Sequence, residues 1–151
     1  SGRAGSPGEG NKRDGGGSTG LMVLRRDGFA SLDAGESGGT LTTRPMKFTG
    51  KHLFVNAAAK EGELTSEVVD ERGNPIKGLS AVDGVPVRAD KTKQAVAWKQ
   101  ANIGAAAGQV VRFRFHLKNA RLFSFWVSHD ASGASQGYVA AGGPGLTNRC
   151  V

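Results

Sequence analysis

The sequence predicts an all-β fold: a two-sheet antiparallel β-sandwich, jelly-roll-like, of about nine strands, with Gly-rich tails. Three observations predict it. Apolar and polar residues alternate with period two in repeated runs between Leu21 and Val127, whereas helical periodicity is almost absent. Asp–Gly, Gly–Gly and Asn–Pro pairs separate those runs, each supplying a residue that tolerates positive φ or a proline with φ preset. The composition also changes at both ends. Residues 1–20 hold eight glycines and no large apolar side chain, and residues 128–151 turn to Ser, Gly, Ala and Pro. Little apolar area is available there to offset the entropy of ordering, so 1–20 reads as a linker, 21–127 as the module and 128–151 as a C-terminal tail.

Taken in order, Leu21–Arg25 and Phe29–Leu32 flank the Asp27–Gly28 turn, and Thr40–Arg44 follows Gly38–Gly39. His52–Ala58 and Glu63–Val69 are joined through Lys60, Glu61 and Gly62. Ile76–Leu79 follows the turn signal Arg72–Gly73–Asn74–Pro75. Gln94–Trp98 sets Val96 and Trp98 on one side, which makes Trp98 a core anchor whose N–H finds a carbonyl. Asn102–Ala107 offers the one helical turn, a short connection.

Val110–Leu117 and Arg121–Val127 support a sharper expectation. Val111, Phe113, Phe115 and Leu117 share one face of their strand, and Arg112, Arg114, His116 and Lys118 share the other. A three-residue loop Lys118–Asn119–Ala120 would place Phe115 opposite Phe123 and Phe113 opposite Phe125. A two-residue loop would turn Ser124 and Trp126 inward instead, so the all-apolar match selects the longer hairpin loop. That register faces Trp126 outward across from Arg112. Trp126, Arg112 and Arg114 are accordingly the candidate carbohydrate-binding residues, the indole acting as a stacking platform or as a cation–π partner of the guanidinium. The competing reading has Trp126 covered by the tail, through Tyr138 or Leu146.

The chain carries a formal net charge of +7, nearly all of it on 21–127. Such a surface attracts acidic polysaccharide, anionic membrane or nucleic acid. Within the core only Arg25 and Arg26 are adjacent, which disfavours nucleic acid as a partner. No apolar run approaches the roughly 18 residues of a membrane span. The single cysteine, Cys150, excludes an internal disulfide and leaves pairing with another chain open. Because Ser1–Gly2–Arg3 brings neither an initiator Met nor an apolar signal, the expectation is a chain that is mature, trimmed or excised from something longer.

Residues able to perform chemistry are scattered. Glycoside hydrolysis needs two facing carboxyl groups, about 5–5.5 Å apart for retention and roughly 6.5–9.5 Å for inversion. Asp33 with Glu36, Asp70 with Glu71 and Asp83 with Asp90 are the nearest pairs, and all lie in expected turns, where acids serve backbone hydrogen bonding. His52, His116 and His129 lie far apart in sequence and from Cys150. Calcium is the most tenable metal, with Asp70, Glu71 and Asn74, or Asp33 and Glu36, as loop oxygens, but neither cluster has the dense acidic spacing of a strong site. The module reads as non-catalytic, with no cofactor.

Several motifs in order carry a family likeness: Arg25–Glu36 (RRDGFASLDAGE), Gly39–Thr43 (GTLTT), Leu53–Asn56 (LFVN), Asp70–Ile76 (DERGNPI), Val96–Trp98 (VAW), Val111–Phe115 (VRFRF) and Leu122–Phe125 (LFSF). Together they resemble the C-terminal β-sandwich that follows an invertase-like five-bladed propeller in secreted glycosyl hydrolases. In that family the catalytic carboxylates belong to the propeller. The resemblance therefore implies an accessory module that packs on a glycosidase-like domain, binds glycan, or both. The alternative is a structural subunit of an extracellular filament or matrix, self-associating through its tails.

Overall fold

A computed structural model of the chain describes residues 21–134. The expected linker 1–20, and Tyr138, Leu146 and Cys150 of the tail, lie outside the described residues. Seven strands form two antiparallel sheets: β1 (Leu32–Ala34), β2 (Gly39–Thr42), β3 (His52–Ala58), β4 (Glu63–Val69), β5 (Asp90–Val96), β6 (Arg112–Lys118) and β7 (Ala120–Ser128). One sheet has the order β1-β7-β3-β5 and the other β2-β6-β4. The first strand thus pairs with the last, the second with the sixth and the third with the fifth. That is a long antiparallel ribbon rolled up on itself, which makes the sandwich jelly-roll-like.

The place an eighth strand would take, along the free edge of β4, belongs to residues 75–87. Leu64 and Val87 exchange both backbone hydrogen bonds, at 2.9 and 2.8 Å, and Ile76 donates to the Val68 carbonyl at 2.9 Å. Pairing stays interrupted because Pro75 and Pro86 lack donors and Gly78 turns the chain at φ +80°. The expected strand Ile76–Leu79 therefore meets β4 only at Val68, which accepts from Ile76 and donates to the Leu79 carbonyl at 2.9 Å, rather than through a ladder. Two more expectations are corrected. Leu21–Arg25 is not a strand, and Phe29–Leu32 is strand only from Leu32, because Asp27, at φ +51°, and Gly28 turn this segment across the sheet instead of along its edge. Strand β5 begins at Asp90, four residues before the expected start. Its charged, unalternating residues Asp90–Lys93 suit an exposed edge, where lysines discourage further pairing.

The hairpin of the last two strands does not exist. β6 belongs to the three-stranded sheet and β7 to the four-stranded one, so the chain crosses the core through Asn119 alone, at φ +44°. Gly62 makes room for this crossing, since a Cβ there would lie 1.9 Å from the Lys118 carbonyl oxygen. Phe113, Phe115 and Leu117 face inward as expected. On β7 the inward set is Ala120, Leu122, Phe125 and Val127, because the register with β3 shifts between Asn56 and Ala57. Phe123 is the extra residue of that bulge, and one inserted residue reverses the facing of everything on its far side.

The sheets meet through aromatic contacts. Phe125 of one sheet lies 5.7 Å from Phe113 and 5.1 Å from Phe115 of the other, centroid to centroid. Leu53, Val55 and Ala57 of β3 and Leu64 and Val68 of β4 fill the rest. The expected helical turn is a 3₁₀ helix at Ile103–Ala106 whose second residue is capped by Asn102, Gly104 N–H donating to Oδ1 at 2.8 Å. Trp98 is buried as expected, yet its indole N–H meets no protein acceptor among the described residues.

This arrangement separates two phenylalanines that a hairpin would treat alike. Phe113→Ala should lower the unfolding free energy by about 3–5 kcal/mol in a denaturant titration. Phe123→Ala should lower it by about 1 kcal/mol, the scale of an exposed cation–π contact with part of a side chain's burial. Equal losses would restore the hairpin register.

Candidate functional site

The two outer faces of the sandwich differ in what covers them. On the four-stranded sheet, β3 is buried on both sides: inward through Leu53, Val55 and Ala57, outward through Phe54 and Asn56. Residues before β1 and after β7 do the covering. Arg25 reaches Asn56, and Gly133 sits so close to Phe54 that a Cβ there would approach the ring to 2.9 Å. Trp126 stacks on Phe54, centroids 5.6 Å apart and planes 16° from parallel. Its Nε1–H donates to the Gly133 carbonyl at 3.0 Å, and Lys93 Nζ donates to the Ser132 carbonyl at 2.7 Å. Residues 129–134, the start of the expected tail, thus lie on the sheet.

The outer face of β2-β6-β4 is polar. β6 presents Arg112, Arg114, His116 and Lys118; β2 contributes Thr40 and Thr42, and β4 contributes Glu63, Thr65 and Glu67. Register sets Thr42, Arg114 and Glu67 in one row and Thr40, His116 and Thr65 in the next. Glu67 is the only buried charged residue among the described residues. Its Oε1 accepts from Arg114 Nη1 at 3.0 Å and from His116 Nε2 at 2.9 Å. His116 Nδ1 lies 3.2 Å from the Thr40 hydroxyl, and Arg114 Nε donates to Thr42 Oγ1 at 3.2 Å. With Nε2 donating to the carboxylate, His116 joins Glu67 of β4 to Thr40 of β2 across its own strand. Burial acts to raise the Glu67 pKa, but the hydrogen bonds and charges of His116 and Arg114 outweigh it and hold the carboxyl below its ordinary value.

Of the three residues predicted to form a site, Arg112 and Arg114 stand together on this face. Arg112 donates to the Thr43 carbonyl at 3.2 Å. Trp126 is on the other sheet and faces the opposite way, so the predicted pair of Trp126 with Arg112 does not form. The cause is the crossing at Asn119. Missing from the sequence prediction are Glu67, Asn56 and Arg25. A signal for Glu67 exists: it is an acid in a Thr/Val-rich strand of the same parity as Thr65, and the strongest strand carries an all-basic face in need of a counter-charge.

Four of the six acids considered for catalysis or calcium, Asp33, Asp70, Asp83 and Asp90, have structural partners. Asp70 Oδ1 accepts from the backbone of Arg72 at 2.9 Å and of Asn74 at 2.8 Å, closing a turn. Asp33 pairs with Arg121, Asp83 accepts from Ser80, and Asp90 accepts from Arg25. Among the described residues no three His, Cys, Asp or Glu side chains converge as metal ligands, and no helix is long and apolar enough to cross a membrane. An open polar hollow of about 480 Å³ lies at one end of the sandwich, between Lys60, Glu63, Arg88 and Lys118, with Arg88 Nη2 donating to Glu63 at 2.7 Å. Comparison of the chain with family models, curated proteins and solved structures finds no match.

The Glu67 cluster generates a pH dependence of known sign. A carboxyl whose folded pKa lies below its unfolded one stabilises above the unfolded value, and that contribution disappears as pH falls through the folded value. Denaturant midpoints measured from about pH 7 to about pH 3 should drop more steeply for the parent chain than for Glu67→Gln across the acid range. Arg114→Ala, which leaves a buried carboxylate with one partner fewer, should cost about 1–3 kcal/mol at neutral pH.

Proposed function

We propose that the chain is a non-catalytic, extracellular accessory module of a carbohydrate-active protein, one that engages glycan through the outer face of β2-β6-β4. The observation that carries this reading is the asymmetry of the two faces. One is closed by the chain's own Arg25 and Gly133, while among the described residues nothing folds over the other, where Arg112, Arg114 and His116 stay part-exposed around the buried Glu67. Such a surface offers donors and acceptors at strand spacing, which suits a ligand made of hydroxyl groups. Jelly-roll sandwiches also serve as lectin domains. The likeness of the RRDGFASLDAGE-to-LFSF series to the sandwich behind invertase-like propellers supports the accessory role and a glycosidase-like domain as its neighbour.

Arg112 and Arg114 are the ligand groups in this reading, and Trp126 holds the opposite face together. A second reading, a structural subunit assembled through its terminal segments, is favoured by the exposure of Leu21, Met22, Val23 and Phe29.

Screening the chain on a glycan array and titrating hits by calorimetry tests the first reading. Arg112→Ala should weaken binding about tenfold, the loss of one charged hydrogen bond. Trp126→Ala should leave affinity within about twofold and lower stability instead, by the scale of an aromatic pair. Affinity that follows Trp126 rather than Arg112 would move the site to the other sheet, and the absence of any glycan ligand would overturn the proposal.

A further inference from the structure

Arg25 occupies a site built by the outer face of the four-stranded sheet. Its Nε donates to Asn56 Oδ1 and its Nη1 to Asp90 Oδ1, while Nη2 donates to the Ala57 carbonyl at 3.0 Å. The guanidinium carbon lies 4.6 Å from the centroid of Phe123, the bulge residue. Asn56 is 1% exposed, and its Nδ2 donates to the Arg26 carbonyl at 2.6 Å. The site thus combines acceptors along a guanidinium fork, a carboxylate and an aromatic face, and it reads the backbone of the next residue as well.

Little else holds this segment. Leu21, Met22, Val23 and Phe29 are each more than 80% exposed. The turn that brings Arg25 back to its own sandwich is tight: Gly28 N–H donates to the Arg25 carbonyl at 2.9 Å, and Asp27 sits at φ +51°. A Cβ on Gly28 would lie 2.6 Å from Arg25 Cβ and 2.9 Å from its carbonyl oxygen.

We propose that the site of Asn56, Ala57, Asp90 and Phe123 also accepts Arg25 from a second copy of the chain, so that two copies exchange their Leu21–Asp27 arms and pair. This gives the structural-subunit reading its contact and is independent of the glycan reading. Recognition is confined to Arg25 and Arg26, so an arm arriving from a partner makes the same hydrogen bonds as the resident one. Opening the turn releases Asp27 from the left-handed region, and a short strained hinge is the feature that favours exchange. Pairing also gives the exposed apolar side chains of the arm a surface against which to be buried.

Light scattering coupled to size exclusion, on the full chain from about 1 μM to about 1 mM, tests the proposal across the affinity range of weak pairs. The parent chain should form a concentration-dependent dimer. Gly28→Ala, which cannot close the turn, should strengthen it at least about tenfold, and Arg25→Ala added to Gly28→Ala, where no closed monomer competes for the site, should weaken it by a similar factor. Arg25→Ala retains the site and Asp90→Ala retains the arm, so a mixture of the two should pair more tightly than either alone. A chain that stays monomeric throughout, Gly28→Ala included, overturns the proposal, as does a Gly28→Ala dimer indifferent to Arg25→Ala or a mixture no tighter than its components. Glycan titration of the same samples separates the readings, because Arg112→Ala leaves the arm and its site untouched.

Discussion

Phe125 reaches across the core to Phe113 and Phe115, and this contact between sheets depends on a register that only a bulge at Phe123 allows. β7 must present Ala120 and Leu122 inward near its start and Phe125 and Val127 inward near its end, although strict alternation cannot include both sets. One extra residue absorbs the conflict. Remove it, and either the Leu122 end or the Phe125 end of the strand turns its apolar side chains to water. The rings are worth several kcal/mol each in buried area, far more than the local disruption of one ladder position.

The same bulge organises the surface. Phe123 is pushed to the outer face, where it supplies the aromatic floor beneath Arg25, and Trp126 is set outward over Phe54. The four-stranded sheet therefore acquires a second, smaller apolar layer on its outside, and the segments flanking β1 and β7 fold over it. Among the described residues the other sheet has no such layer. Its central strand β6 alternates aromatic or aliphatic residues with Arg112, Arg114 and His116, and the exposed basic side is balanced by Glu67 from β4 rather than by a covering segment. One fold thus presents a self-covered face and an open polar one. Arg25 fastens the covering segment to that face through Asn56, Asp90 and Phe123.

Legibility followed the physics of each element. His52–Ala58 and Glu63–Val69 were readable to the residue because the turn signals Lys60–Gly62 and Arg72–Pro75 bound them and Leu53, Val55, Leu64 and Val68 mark their buried faces. β5 was displaced by four residues because an exposed edge strand has no apolar period to reveal it. Leu21–Arg25 looks like a strand by composition, yet its neighbours Asp27 and Gly28 direct it across a face where no edge is free to pair with it. In the candidate site, Arg112 and Arg114 were placed correctly on one face by parity alone, whereas Trp126 was assigned to that face only through a hairpin that does not form.

The sequence by itself determined the all-β class, the rolled sandwich, the inward row Phe113, Phe115 and Leu117 and the outward basic row beside it, because side-chain alternation within one strand is a local property of the pleat. Tertiary structure alone decided that β6 and β7 part at Asn119 into different sheets, that Phe123 becomes a bulge, and that Glu67, Asn56 and Arg25 acquire partners 30 to 65 residues away. The physical reason is that strand pairing and the choice of sheet are settled by how apolar faces from distant segments fill one common core, a competition that no local period encodes.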